Sequence, residues 1–141
     1  MIIPDANLLL YAHDTRAKFH QKAKEWWEAT LGGDELVGLA SVTVFAFLRI
    51  GTNPRVYVNP MSVEDAIRYV KSWLSLPGVR LLESNYVFRT LALLEEIGTG
   101  GNLVSDAQLA AMAIEEGAIL HTSDVDFRRF KGLKTFYPLE S

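Results

Sequence analysis

Short apolar runs alternate along the whole chain with longer stretches in which apolar residues recur every three or four positions. Ile2-Ile3, Leu36 to Ala40, Val79 to Leu82 and Ala118 to Thr122 have the length of buried strands. Leu8 to Tyr11 predicts a short, well-buried helix, and residues 17 to 31 a longer one. In the latter, Phe19, Ala23, Trp26 and Trp27 fall at helical spacing before Gly32-Gly33 stops it. Val42 to Thr52 is rich in β-branched residues, which lowers helix propensity, but its length and the Phe45, Leu48 spacing predict a helix capped by Ser41. The segment TNPRVYVNP, bracketed by two Asn-Pro pairs, reads as a loop. Ser62 followed by Asp65 is a capping-box pattern and opens a helix with Ile67, Val70, Trp73 and Leu74 inward. Residues 85 to 97 predict another helix, with Val87, Leu91 and Leu94 inward and Gly98 as its stop. Ser105 with Gln108 is a second capping box, opening an Ala-rich helix that Gly117 ends. A helical turn around Phe127 to Phe130 and an edge strand in residues 134 to 139 complete the chain.

Strands alternating with helices imply a parallel sheet, because parallel strands need crossover connections. The expected fold is α/β: a single three-layer α/β/α domain over residues 1–141 with a mostly parallel central sheet. A hydrophobic share of 49% argues for a compact fold over disorder. The absence of cysteine removes disulfides and thiolate metal sites and is compatible with a reducing compartment. The N-terminal stretch lacks a basic region, and no run reaches the roughly 18 apolar residues of a membrane span, so the expectation is a cytoplasmic protein without membrane contact. The net charge of −3 argues against a general, charge-driven nucleic-acid binder. It still allows a nuclease in which a local basic rim and a bound cation overcome a small global repulsion.

The candidate chemistry lies in four acids. Asp5 follows the first strand, Asp106 falls just after Ser105 near a helix start, and Asp124 and Asp126 follow the strand that ends in Thr122 and Ser123. Each has an ordinary explanation as a helix-start or turn residue: Asp5 as an N-cap, Asp126 as the cap of the short helical turn. Ligands of open α/β sheets, however, sit beyond the carboxyl ends of the strands. Several carboxylates gathered there would repel each other unless a cation held them. An all-oxygen set suits Mg²⁺ or Mn²⁺. Zinc is disfavoured, because His13, His20 and His121 lack the paired spacing of a zinc site. Trp26 and Trp27 are adjacent on one helix, which makes one of them a candidate for a partner contact.

Taken together, IIPDANLLLYA, FLRIGTNPRVY and LVSDAQLAAMAIEEGAILHTSDVDFRRF resemble the PIN-domain family, and within it the VapC-type toxins of bacterial type II toxin–antitoxin systems. The resemblance extends over essentially the whole chain. It implies a Mg²⁺-dependent ribonuclease, usually dimeric, held inactive by a cognate VapB-type antitoxin. By motif position Asp5 and Asp106 match the metal-binding acids, Asp124 and Asp126 match the third and fourth acidic places, and Ser123 adds a hydroxyl. Many relatives carry a glutamate where this chain has Ala46, a departure shared by a subgroup with the FLR…TNPRV stretch.

The expected reaction is cleavage of single-stranded RNA by a metal-activated water, with Asp5, Asp106 and Asp124 at the metal. Arg49 and Arg55, with Ser123, are candidate RNA contacts, and Arg128 or Lys131 further candidates for phosphate. Two other readings compete. A degenerate PIN domain would act only through antitoxin binding. A Mg²⁺-dependent phosphatase of haloacid-dehalogenase type would need an acid at position 7, where this chain has Asn7.

Overall fold

A computed structural model of the protein describes residues 1–140. The strands are β1 (Ile2–Pro4), β2 (Val37–Ala40), β3 (Val79–Leu82), β4 (Ile119–His121) and β5 (Thr135–Phe136). The helices are α1 (Ala6–His13), α2 (His20–Leu31), α3 (Ser41–Gly51), α4 (Val63–Leu74), α5 (Val87–Ile97) and α6 (Leu103–Glu115), with a 3-10 turn over Val125–Arg129. All strand pairings are parallel, in the order β3-β2-β1-β4-β5. The chain builds outward from β1 to β3, then returns to place β4 on the other side of β1. That reversal puts the topological switch point between β1 and β4, where α/β sheets bind ligands.

Alternation along the strands separates two apolar layers. Val37 and Leu39 of β2 pack with Leu9, Trp27, Val44, Phe47 and Trp73, under α1 to α4. Ile3, Ala40, Leu82 and Leu120 pack with Leu93, the buried face of α6, Phe127 and Phe130. On this second side Gly38 is required: a Cβ there would lie 2.5 Å from the Leu82 side chain and 2.8 Å from Met1. The small residues Ala107, Ala110, Ala111 and Ala113 let α6 approach the sheet closely.

Most predicted elements are present, and the differences have local causes. Ser62 caps α4 as expected, its Oγ accepting from the Asp65 N–H at 3.0 Å. Ser41 is instead the first helical residue of α3, the cap position being Ala40. Ser105 is likewise inside α6. Gly100 and Gly101, the latter at φ +61°, turn the chain so that the Leu103 and Val104 N–H groups bond back to their carbonyls. The helix therefore starts three residues earlier than the capping-box pattern implies. Asp124, not Asp126, caps the 3-10 turn, accepting from the Asp126 N–H at 2.9 Å.

Inward faces also differ. Phe45, Ile67, Val87 and Leu91 are exposed, while α3 buries Thr43, Val44 and Phe47 and α5 buries Thr90 and Leu93. Both helices are apolar on more than one side, so spacing alone does not choose between the faces. Trp26 and Trp27 are both accommodated: Trp27 is buried, and Trp26 stacks on it at 5.4 Å while its indole N–H donates to His121 Nδ1 at 3.0 Å.

Candidate active site

Asp5 leaves the end of β1 and stands at the head of α1, with its own N–H donated to the His121 carbonyl at 2.9 Å. That bond continues the β1–β4 pairing one residue past the strand. Its carboxylate accepts from Thr122 Oγ1 at 2.8 Å, and the same hydroxyl oxygen accepts from the Asp124 N–H at 3.0 Å. Thr122 is fully buried and so couples Asp5 to the turn that carries Asp124. The sequence points to Ser123 as a hydroxyl beside the acids; the hydroxyl that bonds Asp5 belongs to its neighbour Thr122.

Asp5, Asp106 and Asp124 line one cleft of about 430 Å³. Asn7, Thr43, Ala46, Arg49 and Ser105 complete much of its wall. Thr43 fastens α3 to β1 by donating to the Pro4 carbonyl at 3.4 Å. Ala46 faces the cleft from α3, so the position where many relatives have a glutamate presents only a methyl group. One turn on, Arg49 brings a guanidinium to the rim. Arg55 and Ser123 lie outside this lining, and Arg128 is engaged with Glu140 at 3.2 Å and with the Tyr137 ring.

The acids feel each other. Burial pushes the Asp5 carboxyl above the usual range, opposed by the Thr122 and Ala6 hydrogen bonds and reinforced by Asp124. Burial also pushes Asp106 up, to about 6, and the negative charges of Asp124, Asp5 and Asp126 add to it. Asp126 therefore contributes through its field from an exposed position. His121, by contrast, is held neutral, burial lowering its pKa to about 4. With Nδ1 accepting from Trp26, its proton sits on Nε2.

Mutual repulsion of this kind is what a cation relieves, and the donors are all oxygens, which fits a hard divalent ion. Among the described residues no three acidic or histidine side chains converge into a ready-made cage.

A PIN-domain family model matches residues 2–133. The chain belongs to the PIN-domain family. Within it the likeness is to VapC proteins. Ribonuclease VapC33 of Mycobacterium tuberculosis is 47% identical over 141 residues, covering 99% of both chains. The structure of M. tuberculosis VapC20, described as a Sarcin-Ricin loop cleaving toxin, superposes with a TM-score of 0.70 at 16% identity, over 95% of this chain and 99% of that one. VapBC2 from Rickettsia felis, bound to a promoter DNA fragment, gives 0.68 at 19% identity, over 96% and 98%. As a PIN domain of the VapC type, the chain is a member of a ribonuclease toxin family, and the dehalogenase-type reading falls away. No helix among the described residues is long and apolar enough to cross a membrane.

Proposed function

We propose that this PIN domain is the toxin of a toxin–antitoxin pair and cleaves single-stranded RNA by hydrolysis with Mg²⁺, for which Mn²⁺ can substitute. The observation that carries this reading is the gathering of Asp5, Asp106 and Asp124 in one cleft at the β1/β4 switch point. Asp5 and Asp106 would hold the ion, with Asp124 beside them. When bound, the ion supplies charge neutralisation at the phosphate and lowers the pKa of an attacking water. The chain's own residues do the rest. Thr122 and the Ala6 N–H fix the Asp5 carboxylate, Asp124 orients the water, and Arg49 offers a cation to the incoming backbone.

The partners in this reading are a VapB-type antitoxin and a second copy of the chain. Relatives solved as VapBC complexes support the first. The second is supported by an uncovered apolar area on α3, α5 and α6, where Phe45, Val87, Phe88, Leu91 and Val104 are all exposed. Ala46 gives the competing reading, a domain that binds its antitoxin without cutting, its one specific observation. The deciding experiment is cleavage of an RNA panel with Mg²⁺ or Mn²⁺ by antitoxin-free protein, wild type beside Asp5→Ala. Metal-dependent cuts that vanish in the variant are expected. No cuts by wild type, together with no Mn²⁺ binding, would favour the binding-only domain.

A further inference from the structure

α1 and α3 pack against one another, and both run from the acid cleft to a second cavity. On α1, Asn7 lines the cleft and Leu10, three residues further on, lines the cavity, which Asp14, the extended residue just past the helix, also borders. That spacing keeps Asn7 and Leu10 on one helix face. On α3, Ala46 and Ile50 line the cleft and Gly51 the cavity. The two hollows therefore neighbour one another along the same two helices, Asn7 and Leu10 being roughly 4.5 Å apart along the α1 axis.

The cavity has a volume of about 410 Å³, and the loop TNPRVYVNP forms its outer wall. That loop is preset. The Asn53 carbonyl accepts from the Val56 and Tyr57 N–H groups, Asn53 Oδ1 accepts from the Arg55 N–H at 2.9 Å, and the Met61 N–H returns to the Gly51 carbonyl at 2.9 Å. Gly51 leaves room for the Met61 side chain, whose terminal methyl would have to move aside for any Cβ there. The wall so built presents the half-buried Tyr57 ring beside Arg16, Asp14 and Asn59. Burial, and then the neighbouring Asp14 charge, hold the proton on the Tyr57 hydroxyl. His13 also lines the cavity, but its Nδ1 bonds the Leu9 carbonyl and its ring packs against Tyr69 at 4.5 Å.

We infer that this cavity holds a nucleotide of the single-stranded RNA whose backbone crosses the acid cleft, with Tyr57 stacking on the base and Arg16 meeting a phosphate. The inference rests on the ribonuclease reading and specifies its substrate path. Aromatic stacking plus a cation is the chemistry by which proteins hold single strands without a strongly basic surface. Asp14 and Asn59 offer an acceptor and an amide to the base edge, which makes the cavity a place where base preference can arise. The loop that distinguishes this chain's subgroup thereby gains a task apart from the acids.

The test is fluorescence anisotropy with a labelled random-sequence RNA octanucleotide on full-length Asp106→Asn protein, run beside wild-type cleavage assays. Tyr57→Ala in that background should weaken binding about tenfold, with Tyr57→Phe retaining most of the affinity. Arg16→Glu, at an exposed position that does not challenge folding, should weaken it at least as much and flatten its salt dependence. Ala92→Ser, exposed on α5, should bind as the parent does. Loss of binding in Tyr57→Ala and Arg16→Glu supports the path even if wild type cuts no RNA, in which case only the nuclease reading fails. Undiminished binding by both variants overturns the path even if wild type cuts efficiently.

Discussion

The acid cleft and the apolar area on α3 and α5 lie side by side, sharing Val42 and Arg49 in their walls, yet they are unfinished in opposite ways. The cleft gathers charge that burial and mutual repulsion make costly. The neighbouring groove, about 490 Å³, leaves Phe45, Val87 and Leu91 half or more exposed, and Phe88 beside it is 88% exposed. Isolated exposed apolar side chains are ordinary, but a cluster on one face marks an interaction surface. The difference teaches what each surface is for. In the proposed reading one takes a small hard cation and an anionic substrate, the other a dry protein face.

The comparison is most sharply broken at the apolar side. Phe88→Ser should weaken self-association by thirtyfold or more, the size expected for a central aromatic anchor, measured by analytical ultracentrifugation. RNA cleavage per folded monomer should change far less; equal self-association by the variant would remove the dimer from the proposal. Next in size, Thr122→Val keeps the β-branched shape but removes the bond to Asp5 and the acceptor for the Asp124 N–H. Cleavage should fall about tenfold, equivalent to about 1.4 kcal/mol in the barrier, without loss of the folded state.

The smallest effect concerns stability. Asp106 takes up its proton near pH 6 in the fold against 3.8 when unperturbed, so the folded protein binds more protons between those values. Its ionisation therefore costs stability as pH rises from about 4 through 6, and the cost persists above. Asp106→Asn should be more stable than the parent at pH 7.5 without divalent ions, by about 1 kcal/mol after allowing for solvent screening of a partly exposed group. The gap should close on acidification toward pH 4, and Mg²⁺ should narrow it at pH 7.5 by stabilising the parent. Chemical denaturation at both pH values, with and without Mg²⁺, measures it.

Much of this was legible in the chain. Val79 to Leu82 is a strand as read, the Ser62–Asp65 cap forms, and three acids widely separated in sequence share one cleft because each follows a strand end or opens a helix beside one. The faces of α3 and α5 were not legible. An apolar stripe that waits for a partner has the same spacing as one that meets the core, so Val87 and Leu91 read as inward when Thr90 and Leu93 are. The role of Thr122 was hidden for another reason. A buried threonine at a strand end is common, and only the pairing of β4 with β1 shows that its hydroxyl is shared by two acids.

Thr122 and Asp5 are 117 positions apart, joined through two neighbouring central strands. A ribosome adding 5–20 residues per second needs on the order of ten seconds to travel between them. During that interval β1 has no β4 beside it, and the loop that must close is among the longest the chain can form. A partly made chain therefore carries no assembled acid cluster. In the proposed reading, cutting of RNA must therefore wait until β4 has emerged and paired with β1.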